Sequence, residues 1–319
     1  MATSSGLGQT PIKTDLLIVG GGVAGLWTAV RAAMQGLGCV LVERNALGSG
    51  QTMASQGVIH GGVKYAAGAN LDAGKAIAGM PEIWDQSLTG EGDVNLREAQ
   101  ILSRSNYLWT TGGLVSRLAG VAASNLLRTK VDNVPDEKRP EVLSRAGSVY
   151  EVAEKILNAQ SVVKALAEQE GVYGAGMILG EVKSIQQNAG RFHVRLASGQ
   201  EIDARVCVLA AGQGNHALLK MALGSETLSE KEAGMQLRPL HMVMARAKEL
   251  PRLYGHCVAG SLSDKPRLTV TTHWHLGSSD QIWYIGGNVA ETGIHRSPVE
   301  QVKFAREELQ GCVGGVDFE

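Results

Sequence analysis

The apolar positions change period several times along the 319 residues, and each change marks an element. Leu16 to Val19 is a continuous apolar run of the kind shown by a parallel strand buried on both faces. It ends in a cluster of glycines. Leu26 to Met34 then carries apolar residues at helical spacing, and Cys39 to Val42 repeats the strand pattern, so the chain opens on a βαβ unit. Leu71, Ala76, Ile77, Met80, Ile83 and Trp84 predict a helix across 71–87 that Pro81 interrupts. Ala99 to Ser103 reads as a short strand, Tyr107 to Leu118 as a helix broken by Gly112 and Gly113, and Lys130 to Pro140 as an exposed loop.

Val149 to Glu170 returns to helix, with Val152, Ile156, Val162, Val163, Leu166 and Ala167 on its buried face. Strands are expected around Gly176 to Gly180 and from Glu181 to Gln187. Arg191 to Leu196 alternates, Ser198-Gly199 turns the chain, and Ile202 to Leu209 runs back. Leu240 to Arg246, Leu268 to Thr272 and Gln281 to Gly286 are β-like, the last two separated by the polar turn Gly277 to Asp280, which predicts an antiparallel sheet. Val299 to Leu309 is a polar amphipathic helix, and no further element is expected after it. The order predicts an α/β chain: a Rossmann-like dinucleotide-binding domain with an inserted α+β domain built on the antiparallel sheet.

The glycines of the first unit give it a chemistry. Gly20, Gly22 and Gly25 stand at the positions of G-x-G-x-x-G. The first allows the tight turn, the second lets backbone N–H groups approach a pyrophosphate, and the third lets helix pack on strand. The helix N-terminus then faces the phosphates with its partial positive charge. Glu43 ends the second strand 18 residues after Gly25, where a carboxylate can accept from ribose hydroxyls. The loop Arg44 to Gly62 follows, rich in glycine and small polar residues, and leaves from the strand end where such sheets bind ligands.

Length and charge narrow the classes. The chain is long enough for two cores at about 100–200 residues each. A net charge of −1 gives no electrostatic case for nucleic acid or an anionic membrane as partner. No window approaches the roughly 18 consecutive apolar residues of a transmembrane span. Met1 to Lys13 reads as a short disordered leader rather than a secretory signal. Cys39, Cys207, Cys257 and Cys312 form no C-x-x-C pair, so neither a disulfide framework nor a zinc site is indicated, and a cytoplasmic protein is expected.

Asp15 to Gly25, Glu43 and Ser55-Gln-Gly-Val-Ile-His-Gly-Gly-Val-Lys-Tyr65 together resemble the flavin-binding start of the D-amino-acid oxidase superfamily of FAD-dependent oxidoreductases. Within it they are most similar to the glycerol-3-phosphate dehydrogenase and L-2-hydroxyglutarate oxidase branches. The resemblance extends to Arg205-Val-Cys-Val-Leu-Ala-Ala-Gly212, like the strand that returns to the cofactor in two-dinucleotide-fold flavoproteins. It implies FAD as cofactor, held by Gly20, Gly22, Val23, Ala24, Gly25, Glu43, Arg44, Thr52, Ser55, Gly57, Val58, His60, Ala211 and Gly212, with the backbone of Val182 against the adenine. It also implies a discontinuous FAD-binding domain, 14–87 and 150–216, and a substrate or cap domain, 88–149 and 217–319.

His60, Lys64 and Tyr65 are the catalytic candidates that the resemblance implies. His60 would contact the isoalloxazine ring, and in some members of the superfamily a histidine at this point is covalently joined to the flavin. The alternative for His60 is to order the loop backbone. Lys64 and Tyr65 fall where the glycerol-3-phosphate branch places an arginine and tyrosine facing substrate. A lysine can hold an anionic group only as a point charge, and a solvated surface lysine is the competing reading.

His241, His256, His273 and His275 lie in or beside the expected substrate sheet and could yield a general base. His273 and His275 share a strand face, but no third ligand is apparent and no metal is expected. Trp274, Trp283 and Tyr284 read as packing.

The leading function is hydride transfer from a small hydroxy acid or similar alcohol to flavin N5, with an electron acceptor such as oxygen, a quinone or another carrier. Oxidation of an amine or amino acid is the close alternative, and a nicotinamide cofactor a more distant one. Nothing after Leu309 resembles the segment with which related flavoenzymes close over the flavin. A truncated, non-catalytic flavin-fold protein, or a subunit whose flavin site a partner chain completes, therefore also stands as a reading.

Overall fold

The structure is a computed structural model, and it describes residues 10–61, 77–111, 130–169, 174, 176–224, 237–258, 266–274 and 279–318. The strands run in chain order β1 (Ile12–Val19), β2 (Cys39–Glu43), β3 (Ile101–Ser103), β4 (Asn106–Thr110), β5 (Val131–Asn133), β6 (Val149–Val152), β7 (Ile156–Leu157), β8 (Met177–Leu179), β9 (Val182–Asn188), β10 (Arg191–Leu196), β11 (Glu201–Leu209), β12 (Val243–Ala247), β13 (Tyr254–Val258), β14 (Pro266–Trp274) and β15 (Gln281–Gly286). The α-helices are α1 (Val23–Met34), α2 (Met80–Thr89), α3 (Ala159–Ala167), α4 (Asn215–Leu223), α5 (Asn288–Thr292) and α6 (Pro298–Cys312). They divide into two compact units. The first comprises residues 1–55, 86–99 and 159–237, and the second 56–85, 100–158 and 238–319.

The first unit is built on a six-stranded sheet in the order β8-β2-β1-β11-β10-β9. The pairs β8/β2, β2/β1 and β1/β11 are parallel, and β9 and β10 add an antiparallel edge. Leu17, Val19, Val40, Val42, Val182, Ile185, Val194 and Ile202 form the core on one face, with Leu218 and Ala222 of α4 packed on it. Helix α1 buries Leu26, Ala29 and Val30 and packs on β1, β2 and α3. Strand β1 begins at Ile12, earlier than the apolar run announces, because the amphipathic Ile12 to Thr14 pairs with Ile202 to Ala204 and needs no second buried face. Lys13 thus belongs to a strand rather than a leader.

The second unit centres on a seven-stranded sheet in the order β12-β15-β14-β13-β4-β6-β5. Its pairs are antiparallel except β4/β13, which is parallel. Helix α6 starts on a capping box, in which the Ser297 hydroxyl accepts from Glu300 N and the Glu300 carboxylate from Ser297 N, with Pro298 beside it. It lays Ala305 and Leu309 on a core containing Trp109, Leu268, Val270, Trp283 and Ile285. The Trp109 indole donates to Cys312 O at 2.8 Å and that of Trp283 to Pro251 O at 2.9 Å, so both are packing residues with satisfied N–H groups.

Three expectations fail for one physical reason. Asn106 to Thr110 is a strand rather than the start of a helix, and Val149 to Val152 is its antiparallel partner, so the helix expected over 149–170 begins only at Ala159. Val131–Asn133 pairs with the same strand instead of lying wholly in a loop. Each segment is short and buried by partners distant in sequence, and such partners override local periodicity. Pro81 stands in the first turn of α2, where its missing N–H costs nothing. The rest of the stretches 71–76 and 112–118 lies outside the described residues.

Candidate active site

The dinucleotide cradle of the first unit follows from the β1/β11 register, which pairs Leu16 with Val206 and Val19 with Leu209. The two strands therefore end side by side, and Ala210 N donates to Val19 O at 2.8 Å. Gly20 has φ +116°, and a Cβ there would lie 2.5 Å from Ala210 O. A Cβ on Gly25 would lie 1.9 Å from Gly20 O, so the helix can pack on the turn only with glycine. Gly22 is the N-cap of α1 and brings no side-chain cap, and the first turn holds no acidic residue. Val23 N donates instead to the Thr52 hydroxyl at 3.1 Å, and Ala24 is exposed. An uncapped, glycine-led helix start of this kind accommodates a pyrophosphate.

Glu43 is folded back on the turn. Its carboxylate accepts from Gly21 N at 2.6 Å and from Asn45 N at 2.7 Å, which fixes it at the strand end. Ser55 Oγ donates to Thr52 O at 2.8 Å. Arg44 is exposed, and its charge adds to the larger effect of Lys183 in holding the Glu181 carboxyl below its usual range. Val182 is buried in the sheet core. Ala211 N donates to Asn215 Oδ1 at 2.7 Å, and Gly212, at φ +55°, has open space where a Cβ would be. These residues fit an adenine dinucleotide: the backbone is bare where phosphate must approach, and a carboxylate stands where ribose does.

The second unit carries the histidine. Residues 56–61 are zipped onto 154–157: Leu157 N donates to Gly57 O, Ile59 N to Lys155 O, both at 2.9 Å, and Val58 bridges Ile156. Gly57 has φ +70°, and a Cβ there would lie 2.0 Å from Leu157 O. Gln56 anchors the start by donating to Tyr284 O at 2.9 Å, with Thr271 Oγ1 at 3.3 Å. At the other end the Glu154 carboxylate, 1 % exposed, accepts from Gly61 N at 2.6 Å and Asn106 Nδ2 at 3.3 Å, and meets His60 Nδ1 at 3.1 Å. Burial pushes the Glu154 carboxyl up. The hydrogen bond and charge of His60, with the donors on Gly61 and Asn106, more than offset this and hold it below its ordinary range, so it is an anion.

His256 lies beside this pair. Its ring centroid is 5.5 Å from that of His60, and its Nδ1 is 2.9 Å from Thr269 Oγ1. His60, Glu154 and His256 each offer a ligand atom within 4.8 Å of the others. Oε1 of Glu154 accepts from Gly61 N and Oε2 from Asn106 Nδ2, so the cluster is hydrogen-bonded as it stands. His241 Nδ1 is 3.1 Å from Gly293 O, away from this cluster. His273 stacks on Tyr284 at 4.1 Å with Nε2 2.9 Å from Thr271 Oγ1. Lys64, Tyr65 and His275 lie outside the described residues. Glu154 and Asn106 carry no motif in the sequence and are located by the fold alone.

His273 gives a pH signature. Burial pushes its pKa down from 6.5 to about 4. Between these values the unfolded chain binds the proton and the folded chain does not, so this stabilisation is complete above about pH 6.5 and lost as pH falls toward 4. His273→Gln is expected to remove it. Urea unfolding at pH 7 and pH 4.5 should show an acid-side loss smaller than wild type by on the order of 2 kcal/mol; equal losses would place His273 in water.

A glycine-built turn between a buried strand and a helix is the kind of cradle in which dinucleotide cofactors are held. The family model for FAD-dependent oxidoreductases matches residues 15–314, and the chain belongs to that family. It is 40 % identical over 312 residues to the probable FAD-dependent oxidoreductase PA4991 of Pseudomonas aeruginosa, covering 96 % of this chain and 77 % of that protein. The crystal structure of PA4991 aligns with 34 % identity and a TM-score of 0.73 over 97 % of this chain and 76 % of that one.

Glycine oxidase of Geobacillus kaustophilus shares the fold at 17 % identity and a TM-score of 0.64, over 95 % and 78 % of the two chains. The L-α-glycerophosphate oxidase of Mycoplasma pneumoniae with FAD bound does so at 15 % and 0.62, over 96 % and 80 %. The protein is therefore a flavoenzyme with FAD as its cofactor. No described helix is long and apolar enough to cross a membrane.

Proposed function

We propose that this enzyme oxidises the secondary alcohol of a small hydroxy acid or a similar alcohol. When bound, FAD supplies the two-electron acceptor, taking a hydride from the substrate carbon at N5. Gly20, Gly22, Val23, Ala24, Gly25, Glu43, Thr52, Ala211 and Gly212 hold its dinucleotide half, with Arg44, Ser55 and the Val182 backbone at the edges. Gly57, Val58 and His60 face the ring. His60 Nε2 takes the hydroxyl proton, so that the O–H and C–H bonds break and a carbonyl forms. Lys64 would hold an anionic group of the substrate, with Tyr65 as the further catalytic candidate. Oxygen, a quinone or another carrier then reoxidises the cofactor.

The observation that carries this reading is the His60–Glu154 contact. A carboxylate cannot donate, so Nδ1 carries the proton, and in the neutral ring Nε2 is then an acceptor. An alcohol needs such a base, because its hydroxyl proton must leave along with the hydride. A neutral amine brings its own lone pair and does not. The test is an absorbance spectrum between 300 and 500 nm before and after acid precipitation, followed by anaerobic titration with hydroxy acids and amino acids. Two flavin bands released to the supernatant and bleached by hydroxy acids are the expected result. Bleaching by amino acids alone would overturn it, and colour retained in the pellet would place a covalent bond at His60.

A further inference from the structure

The base assigned to His60 needs a fixed tautomer, and one residue is placed to fix it. Glu154 lies 94 residues away in sequence and sits in the short connection between β6 and β7. It is nearly excluded from water, and its two oxygens meet three different donors. Oε1 receives Gly61 N, while Oε2 receives Asn106 Nδ2 and the Nδ1 side of His60. A buried carboxylate is costly unless hydrogen-bonded on this scale, and sheet packing alone gives no reason for one here. We propose that Glu154 is the positioning residue of the active site: it pins His60 as the Nδ1–H tautomer, which makes Nε2 the basic nitrogen, and balances the imidazolium once the substrate's proton has arrived. This rests on the assignment of His60 as base.

The geometry makes a sharp prediction for Glu154→Gln. With the amide oxygen kept on Gly61 N and the Asn106 amide turned to present its oxygen, the amide NH2 occupies the place of Oε2 and points a donor at His60 Nδ1. The favourable imidazole tautomer then reverses: Nδ1 becomes the acceptor and Nε2 carries the proton, leaving no base. A side chain that merely filled space would not move a proton within another ring.

The measurement is nitrogen-15 NMR of the FAD-loaded protein with labelled histidine and no substrate, the His60 signals among the eight histidines being assigned by their loss in His60→Asn. In the neutral ring of wild type, His60 should show a protonated Nδ1 and a pyridine-like Nε2. In Glu154→Gln the two should exchange character. In parallel, kcat should fall about 10²-fold with KM within about threefold, and Glu154→Asp should recover part of the rate.

A wild-type His60 protonated at Nε2 overturns the proposal without recourse to any variant, even if Glu154→Gln does not fold. An unchanged tautomer in Glu154→Gln overturns it too. So do nitrogen shifts that move on adding EDTA, together with stoichiometric zinc in the protein, since Glu154 would then be a ligand. If the tautomer reverses as expected while turnover of the true substrate is unaffected, Glu154 pins the ring but His60 is not the base. That result separates failure of the functional reading from failure of this one.

Discussion

His60→Asn is expected to retain FAD and to lose about 10²–10⁴-fold in kcat, the range that removal of a general base covers. Asparagine is close in size to the first half of the ring and can still donate to Glu154, so the zipper between 56–61 and 154–157 should stay closed. Its amide has no basic lone pair for the hydroxyl proton. The hydride step then has to leave behind a protonated carbonyl. Anaerobic stopped-flow of flavin bleaching reads the step directly, and the loss should fall on the bleaching rate rather than on substrate affinity. A rate within fivefold of wild type would return His60 to a loop-ordering role and leave the proton to another group, such as His256, whose ring centroid lies 5.5 Å away.

Gly25→Ala carries the second large effect, and here it is structural. The added methyl lands 1.9 Å from Gly20 O, a backbone atom that can retreat only if α1 lifts off β1. The cost should be at or above the upper end of overpacking, about 3 kcal/mol, with a fall in Tm of roughly 5–10 °C and loss of FAD on gel filtration. Gly36→Ala is the control. Gly36 has φ +75° but open space around the missing Cβ, so only the left-handed backbone is strained, at about 1 kcal/mol. Equal losses for the two would mean that the turn tolerates a side chain and that its glycines owe nothing to packing.

The nucleotide half was legible because its information is local. Strand, three glycines, helix and acidic strand end occupy Leu16 to Glu43, and each residue type is required by the backbone next to it. The antiparallel strands β14 and β15 were likewise announced by apolar runs with a polar turn between them. β13 was not. It reads Tyr-Gly-His-Cys-Val, and the glycine that obscures it is there because Tyr107 O would lie 2.0 Å from its Cβ. β4 and β6 look locally like helix ends, and their buried faces are created by partners far along the chain.

The site was half legible for the same reason. His60 stands in a motif, whereas Glu154 stands in a stretch whose local pattern reads as helix, where a glutamate looks like a solvent-facing residue. Its significance is a distance in space of 3.1 Å across 94 residues of chain. The lowered carboxyl and near-complete burial are consequences of the zipper, and no window of sequence contains both halves of it.

That zipper also decides which changes of length the enzyme can survive. One stretch, 154–157, performs two tasks at once: its backbone sets the register of residues 57–59, and its first side chain reaches the histidine. Inserting or deleting one residue between Gly57 and His60 would turn the imidazole to the opposite side of the ribbon, because side chains alternate along an extended pair. An engineer who transplanted 55–61 into another flavoprotein would carry over a histidine with no proton assigned to either nitrogen. The portable module is two ribbons that must travel together.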